Sequence, residues 1–297
     1  MIDIHDNDEK EDVVDYTKIY KGKYYNKKRI KSYGRVIAFD LDETLGSFTD
    51  LEILWSSLQH FTKKYEPINF NSLLDLYPEF LRYGIRHILE FLLQKKHSGQ
   101  CKKIYIYTNN QCNHNWVDLI ANYFTYTLNS KINVFDQIIR AFRIGNQRIE
   151  PCRTSTSKTY SDFIRCTLLP EKTEVCFIDN YEYNDMKKER VYYIQPYSYY
   201  HHLPTNEIIQ RFVNSDIYSK ITPHGDKRIL HQFIADYFIK RNHITSGNPR
   251  IKDLKRDIIV AQKIMYHLQE FFYLTSRRKR TQKRNIKLGR TTRKNLR

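Results

Sequence analysis

The chain contains 297 residues, of which 40% are hydrophobic and 28% are charged, and it is long enough for one α/β domain with extensions. Lysine and arginine number 50 against 33 acidic residues, which gives a formal net charge of +17. No apolar run approaches the roughly 18 residues of a membrane-spanning helix, and the acid-rich start is unlike a secretion signal. We therefore expect an intracellular protein, in the cytoplasm or the nucleus, without a membrane partner.

Cysteine usage agrees with that expectation. The five cysteines are odd in number and include no C-x-x-C pair. Cys112 and His114 are too slight a pattern to indicate a zinc site. We expect buried free thiols, as is usual in a reducing compartment.

The first 33 residues are predicted to form a charged arm. Residues 1–15 contain seven acids and one lysine, whereas the segment from Lys18 to Lys31 contains seven basic residues and no acid. Composition alone assigns no function to this arm.

Residues 36–45 read Val-Ile-Ala-Phe-Asp-Leu-Asp-Glu-Thr-Leu, an apolar run that ends in two acids and a hydroxyl. This pattern predicts a buried parallel strand over 36–39. Because side chains alternate along a strand, we expect Asp40 and Asp42 to leave its carboxyl end on the same side. Carboxylates that close repel each other unless they share a proton or a cation. Open α/β sheets bind ligands at this end of their strands, so we expect the functional site here.

Helices are predicted after this strand. Apolar residues recur at helical spacing at Leu51, Leu54, Trp55, Leu58 and Phe61. A second helix is expected from about Pro78 into the 90s. The residues from 46 to about 76 are therefore predicted to form a small helical cap insertion beside the site.

The following elements continue the alternation of strands and helices. A second strand, 104–107, is predicted to end at Thr108. A helix over 112–128 and a strand within 134–141 fit the next αβ unit, and the last strand is expected at 191–194.

Further polar groups occur between these elements. Lys158 lies in a polar stretch without a strand signal. A further strand is predicted at 174–178, and it ends in Asp179 and Asn180. A hydroxyl, an amine and two acidic clusters suit a phosphoryl group and Mg²⁺, which prefers oxygen ligands.

In chain order, Asp40-Leu-Asp-Glu-Thr44, Thr108, Lys158 and Asp179-Asn180 resemble the four motifs of the haloacid dehalogenase superfamily of phosphatases. The resemblance covers about residues 34–200. It implies a haloacid dehalogenase-like Rossmannoid fold, a three-layer α/β/α arrangement with a parallel sheet, and we place this phosphatase domain at 34–203.

The motifs are most similar to the CTD-phosphatase branch, also called NLI-interacting-factor-like, which dephosphorylates serine in the tail of RNA polymerase II and in other proteins. Three features differ from that branch. Tyr181 and Glu182 follow Asn180 in place of Ser-Pro, and Asn109 and Asn110 follow Thr108 where the branch usually has Thr-Ala. The insertion after the first motif is predicted to be helical, whereas branch members have a short β insertion. These differences leave the substrate open.

The resemblance implies that Asp40 attacks phosphorus and forms a phosphoaspartate, while Asp42 acts first as general acid and then as general base. It implies substrate binding by Thr108 and the neighbouring Asn109, and neutralisation of the developing charge by a lysine. Lys158 and the nearby Lys172 compete for that role, and we prefer Lys158 because its distance from the strand at 174–178 is similar to that in the family. Mg²⁺ is implied as cofactor, with ligands at Asp40, Asp42, Asp179 and Asn180.

Beyond residue 203 we predict a helical extension over 204–275. Its apolar residues repeat at three- and four-residue spacing from Ile251 to Phe272. A stripe this short favours a helix that packs onto its own domain over a coiled coil.

The remaining residues, 276–297, are predicted to be a basic tail that is disordered on its own. From Arg277 to Arg297 there are eleven lysine or arginine residues and no acid. Three interpretations stay open: a solvated tail, contact with nucleic acid, and a nuclear import signal at 277–280.

The sequence thus predicts a Mg²⁺-dependent phosphatase that acts on phosphoserine or phosphothreonine in proteins, with the RNA polymerase II tail as one candidate partner. A nucleic-acid 3′-phosphatase or nucleotidase is the alternative enzyme, and the basic tail suits it. A non-catalytic binding module that retains the fold is the alternative from another class. The abundance of Tyr, Asn, Ile and Lys resembles proteins of large DNA viruses, in which case the location is the host cell.

Overall fold

A six-stranded, mostly parallel sheet forms the centre of the structure. The computed structural model describes residues 16–26, 33–61, 68–113, 115–221, 226–247 and 251–291. The predicted α/β class with a parallel sheet is confirmed, and the architecture is compatible with a Rossmann-like fold.

The strands are arranged in the spatial order β1-β8-β7-β2-β3-β4. Their bounds are Thr17–Lys21 for β1, Arg35–Phe39 for β2, Lys103–Tyr107 for β3, Gln137–Ile139 for β4, Glu174–Ile178 for β7 and Val191–Pro196 for β8. Neighbours pair in parallel, except that β1 is antiparallel to β8. A separate small hairpin consists of β5, Arg143–Ile144, and β6, Gln147–Arg148.

Nine α-helices occur within the described residues. They are α1 Thr49–Phe61, α2 Phe70–Asp75, α3 Ile85–His97, α4 Trp116–Thr127, α5 Tyr160–Thr167, α6 Thr205–Val213, α7 Asp216–Ile221, α8 Lys227–Lys240 and α9 Ile251–Thr291. Over this part of the chain, none of them combines the length and the apolar character that crossing a membrane requires.

The order of the strands changes direction at β2. From β2 the chain continues to β3 and β4 on one side, and it then returns to β7 and β8 on the other side. In open α/β sheets, ligands bind at such a point, outside the carboxyl ends of the strands. Asp40 and Asp179 directly follow β2 and β7, so the topology brings two of the predicted motifs together.

Both faces of the sheet are buried. Ile37 and Phe39 belong to the larger core, which also receives side chains from most of the helices. Val36 and Ala38 face a smaller core with Phe163 of α5. A strand that is buried on both faces needs apolar residues at every position, which explains the continuous apolar run of β2.

Most predicted elements agree with the structure. The strands expected at 36–39, 104–107, 174–178 and 191–194 are confirmed. The helix expected from Pro78 begins later, at Ile85, because Pro78–Phe80 forms a 3-10 turn and Gly84, with a φ of +74°, precedes α3. The strand expected within 134–141 is limited to β4.

The arm predicted for residues 1–33 contains an edge strand that the sequence analysis missed. β1 pairs with β8 through five residues, and the following 3-10 turn buries Tyr24 and Tyr25. Lys18, Lys21 and Lys23 interrupt the apolar residues of this segment. Charged side chains are typical of edge strands, which they protect from pairing with other chains.

The predicted insertion and the predicted extension form one helical layer. α1 and α2 occupy the insertion, and α1 packs against α8, which also contacts α6. Asp50 at the start of α1 is fully buried and contacts His201 at 3.1 Å and His243. The cap insertion is therefore tied to the C-terminal helices.

Helix α9 packs onto its own domain, as predicted. It contacts β1, β8 and α3 and buries Val260, Ile264, Leu268 and Phe271. The helix continues to Thr291, so the first part of the segment predicted to be disordered is helical. Arginine, lysine and glutamine are good helix formers, which a charge count does not take into account. Residues 292–297 lie outside the described residues.

The prediction of free thiols is wrong for two of the five cysteines. Cys152 and Cys166 form a disulfide that joins the loop before Lys158 to α5, whereas Cys101, Cys112 and Cys176 are free. The two partners are separated by 14 residues in sequence and meet only through the tertiary fold. Their spacing therefore gave no signal in the sequence.

We predict that Cys152→Ser lowers stability. Opening a loop of this size costs about 3 kcal/mol in the chain-entropy model. For a chain of this length, that loss corresponds to a decrease in Tm of roughly 5–10 °C. Cys112→Ser is the matched control, because Cys112 is half-buried and free. Calorimetry without reductant should separate the two variants, and equal Tm values would contradict a role for the disulfide.

Candidate active site

The turn after β2 carries the first motif. The Asp40 amide donates to the carbonyl of Ile178 at 2.8 Å, which extends the pairing of β2 with β7 by one residue. Glu43 then adopts a left-handed φ of +56°, and its amide donates to the carbonyl of Gly46 at 2.7 Å. A positive φ is uncommon outside glycine, and it persists where surrounding contacts enforce it. The turn directs Thr44 toward the end of β7.

A buried arginine donates hydrogen bonds to the backbone carbonyls of this turn. Arg82 donates to the carbonyls of Glu43 and Thr44, the latter at 2.5 Å, and to that of Tyr197 at 2.9 Å. Burial lowers the pKa of Arg82 to about 10, so the guanidinium stays charged at neutral pH. These charge-assisted hydrogen bonds fix the unusual backbone of the first motif.

The structure places Lys158 between two of the predicted acids. Its ammonium donates to Asp40 and, at 2.6 Å, to Asp179. Only 1% of Lys158 is exposed, and its ammonium also lies 5.3 Å from the centre of the Tyr183 ring. Lys172, the competing candidate, precedes β7 at the opposite end of the strand and lines a different cavity. Of the two lysines, only Lys158 is thus at the carboxyl end of the sheet.

Charge within this cluster is balanced by direct contact. Burial opposes the charged form of Lys158, but the carboxylates of Asp179 and Asp40 outweigh that effect and raise the pKa of Lys158. Burial raises the pKa of Asp179, and the ammonium of Lys158 opposes this rise. The protonated lysine against carboxylates is the arrangement that their short contacts support.

Asp42 is placed differently from Asp40. Asn110 donates to its carboxylate at 2.9 Å, and the amide of Cys112 in turn donates to Asn110 at the same distance. Burial raises the pKa of Asp42 to about 7, with a further contribution from the charge of Asp40. A carboxyl group that titrates near neutral pH suits proton transfer in both directions.

Asn180 connects the first and last motifs. The Thr44 hydroxyl donates to the side-chain oxygen of Asn180 at 2.9 Å. The side-chain nitrogen of Asn180 donates to Glu43 at 3.1 Å and to Ser198 at 3.0 Å. The Tyr181 backbone amide donates to Asp179 at 2.8 Å. These bonds orient Asp179 and Asn180 at the end of β7.

Thr108 and Asn109 lie at the neighbouring strand end but are engaged by protein groups. The Thr108 hydroxyl accepts from the backbone amide of Asn110 at 2.9 Å, so the hydroxyl can still donate its own hydrogen. Asn109 donates to Tyr183 at 3.0 Å and accepts from Arg153 at 2.8 Å. Both ends of the Asn109 side-chain amide therefore bind protein groups, whereas the sequence predicted that Asn109 binds the substrate.

Arg153 organises the loop that carries Lys158. It is fully buried and donates to the carbonyls of Thr108, Arg140 and Thr156 at 2.9–3.0 Å. Arg153, Arg82 and Asn110 were not predicted from the sequence as functional residues. Of these three, only Asn110 is marked in the sequence, because it follows Thr108 and Asn109 where the family pattern differs.

The predicted metal ligands suit a hard cation by their chemistry. Asp40, Asp179 and Asn180 offer oxygen donors at adjacent strand ends, and the motif resemblance would add the backbone carbonyl of Asp42. In the described residues, the one compact group of three acidic, histidine or cysteine ligands, with ligand atoms within 4.8 Å, is Glu150 with the two disulfide cysteines. The acids after β2 and β7 therefore form no closed cage. Mg²⁺ does not require one, because it commonly binds one or two carboxylates and completes its shell with waters and phosphate oxygens.

Comparisons with known proteins add no assignment. No model of a protein family matches the chain, and no curated protein and no solved structure shows significant similarity to it. Interpretation of the site depends on its own geometry and on the motif resemblance.

We predict that activity depends on the protonation of Asp42 and that Asn110 tunes it. If Asp42 is the general acid, the first chemical step should slow above about pH 7, the value near which its pKa lies. The hydrogen bond from Asn110 stabilises the carboxylate, so Asn110→Ala should raise the pKa of Asp42 and move this decline to higher pH. Stopped-flow measurement of the release of a chromogenic alcohol gives the rate of this first step. The range of pH 5–9 extends about two units on either side of the pKa and shows where the rate declines.

Gln111→Ala is the matched control, because Gln111 is an exposed amide in the same loop. It should leave the pH profile unchanged. A profile that is identical in the Asn110 and Gln111 variants would contradict the role assigned to the hydrogen bond.

Proposed function

We propose that the chain is a phosphatase of the haloacid dehalogenase type, which hydrolyses a phosphomonoester through an aspartyl-phosphate on Asp40. One observation carries the proposal. Lys158, distant in sequence from both acids, bonds to Asp40 and Asp179, so three motifs converge where a phosphoryl group has to be bound. The bond of Asn180 to Thr44 ties the rest of the last motif to the first.

In the first step, a carboxylate oxygen of Asp40 forms a bond to phosphorus while the bond to the leaving oxygen breaks. Asp42, with its raised pKa, gives its proton to that oxygen, so an alcohol leaves. Lys158 orients the Asp40 carboxylate and balances negative charge beside it. Catalysis of phosphoryl transfer is mainly such positioning and charge stabilisation.

In the second step, water attacks phosphorus and its proton passes to the Asp42 carboxylate. The bond between phosphorus and Asp40 breaks, which releases inorganic phosphate and restores both acids. Thr108 retains a hydroxyl hydrogen for a phosphoryl oxygen at the adjacent strand end.

Mg²⁺ bound by Asp40, Asp179, Asn180 and the Asp42 carbonyl would neutralise the phosphoryl oxygens and fix their orientation. Asp40 and Asp179 share the ammonium of Lys158, and the Glu43 carboxylate accepts from the Asn180 side chain at 3.1 Å. These three acids outnumber the two buried cations beside them, Lys158 and Arg82, and an excess of acids favours a bound cation.

Two substrate classes stay open for this site, and the resemblance to CTD phosphatases favours the first of them, phosphoserine or phosphothreonine in proteins. Basic composition supports the nucleic-acid alternative. The intact set of acids, lysine and hydroxyl argues against a binding module without catalysis.

We predict that Asp40→Asn abolishes turnover while the fold is retained. The amide cannot act as the nucleophile, so phosphate release should fall by about 10⁴-fold or more. Lys158 keeps Asp179 as an ionic partner, which preserves the packing of the loop. Asp42→Asn should lose about 10²–10⁴-fold, the usual contribution of a general acid.

Asp185→Asn is the matched control, since Asp185 is an exposed acid on a nearby 3-10 turn. Malachite-green detection of phosphate and mass spectrometry of a phosphorylated Asp40 peptide give two readouts. Normal turnover in the Asp40 variant would refute the proposal.

We predict that hydrolysis requires Mg²⁺ and stops in EDTA. Ca²⁺ should inhibit, because its larger and looser coordination misplaces the phosphate. Asn180→Ala should raise the Mg²⁺ concentration for half-maximal activity by about 10- to 100-fold, and Asn180→Asp should restore most of it. Asn184→Ala, an exposed amide nearby, is the control. Full activity in chelator would show that these oxygens hold no catalytic cation.

A further inference from the structure

A groove lined by tyrosines opens beside Asn180. It has a volume of about 340 Å³ and lies between the start of β1 and the end of β8. Its wall includes Tyr16, Lys18, Gln195, Tyr197, Ser198 and Tyr200. We call it the tyrosine groove.

The edge strand builds this groove. Lys18 of β1 lies opposite Gln195 of β8, and the Tyr197 amide donates to the carbonyl of Tyr16 at 2.8 Å. Residues that lie opposite each other in an antiparallel pair project from the same face, as do residues two apart. Lys18 and Gln195 therefore share one face of the sheet, and Tyr16 and Tyr197 lie directly beyond this pair, at the carboxyl end of β8.

The groove is bonded directly to the candidate active site. Gln195 donates from its side chain to the Asn180 carbonyl at 3.2 Å, and the Asn180 side chain donates to Ser198 at 3.0 Å. A substrate whose phosphate is bound next to Asn180 therefore has these residues within reach of the group that carries the phosphate.

The rings in and beside the groove are accessible. Tyr197 is 47% exposed, Tyr200 is 50% exposed and Tyr181, directly after Asn180, is 67% exposed. Tyr16 meets Tyr197 edge to face, and Arg256 stacks on the Tyr197 ring at 4.5 Å. Ring contacts of this kind keep the aromatic surface in place instead of letting it collapse into the core.

The chemistry of the wall favours a planar, polar ligand. Apart from Pro196, the wall offers phenol rings, amides, a hydroxyl and the ammonium of Lys18. Aromatic faces stack on nucleobases, while amides and hydroxyls bond to base edges and a lysine attracts phosphates. Aromatic-lined grooves also bind extended peptides, but the one charged residue in this wall is Lys18 and the wall contains no acid, which favours an anionic chain. The net charge of +17 also attracts a polyanion.

We propose that the tyrosine groove binds the terminal base of a single-stranded nucleic acid whose terminal phosphate is hydrolysed at Asp40. This inference rests on the proposed phosphatase function. Stacking on tyrosine selects for a base without reading its identity, so the terminal phosphate of many sequences is a substrate.

The experiment compares four substrates on the full-length protein with Mg²⁺. They are a trithymidylate phosphorylated at its 3′ end, the same trinucleotide phosphorylated at its 5′ end, an abasic analogue with the same charge, and a phosphoserine tripeptide. The KM of the better trinucleotide should be at least about tenfold below that of the abasic analogue, as expected for one stacked base. Preference for either end supports the groove and identifies the end that fits.

Variants test the groove itself. Tyr200→Ala and Tyr197→Ala should each raise the KM for the trinucleotide and reduce its advantage over the abasic analogue toward unity. Tyr273→Ala is the matched control, because Tyr273 is 59% exposed on α9. Equal effects of the Tyr200 and Tyr273 variants, or a peptide and an abasic analogue as good as the trinucleotide, would overturn the inference.

Binding separates this inference from the proposed function. Fluorescence anisotropy of a labelled phosphorylated trinucleotide on the Asp40→Asn protein requires no turnover. Base-dependent binding that Tyr200→Ala weakens about tenfold supports the groove even if no substrate is hydrolysed. Hydrolysis of an aryl phosphate without base-dependent binding refutes the groove and leaves the phosphatase in place.

Discussion

The ammonium of Lys158, enclosed between Asp40 and Asp179, is the contact on which the site depends. Lys158 lies on a loop before α5, whereas the two acids follow β2 and β7, so this cluster fixes the loop to the centre of the sheet. Removal of Lys158 would leave two buried carboxylates without their cation, and loss of such a partner typically costs about 3–5 kcal/mol. The position of the loop and the orientation of the proposed nucleophile are therefore one constraint.

A buried ionic cluster of this kind is weak evidence for stability. Well-packed apolar residues of similar volume often stabilise a core as much or more, because charges must first be taken out of water. Arg82 and Arg153 are buried in the same region, and both donate mainly to backbone carbonyls of the turn after β2 and of the Lys158 loop. Three buried cations that position strand-end loops are more easily understood as the support of a reactive site than as packing.

The strand ends could be predicted because their signal is local. An apolar run that stops at Asp40 or Asp179 encodes both the buried strand and the polar group after it. Arg153 and the disulfide depend on residues that meet only in the folded chain. β1 was not predicted because its two lysines interrupt the apolar pattern that indicates a strand. The motif pattern thus specifies which groups are present, whereas the contacts of Asn110 and Arg82, which set protonation and backbone shape, require the tertiary structure.

The direction of α9 determines where the basic segment leaves the domain. Near its start, Arg256 stacks on Tyr197 at the carboxyl end of β8, and further along, Phe272 lies 5.6 Å from the guanidinium of Arg35 at the beginning of β2. These two positions of the helix are about 24 Å apart at 1.5 Å per residue. The helix thus leads from the carboxyl ends of the parallel strands to the opposite end of the sheet, and residues 277–291 continue away from Asp40. If this segment contacts nucleic acid, it adds affinity for the polymer at a distance, while the choice of the phosphate that is cleaved is left to the groups around Asn180.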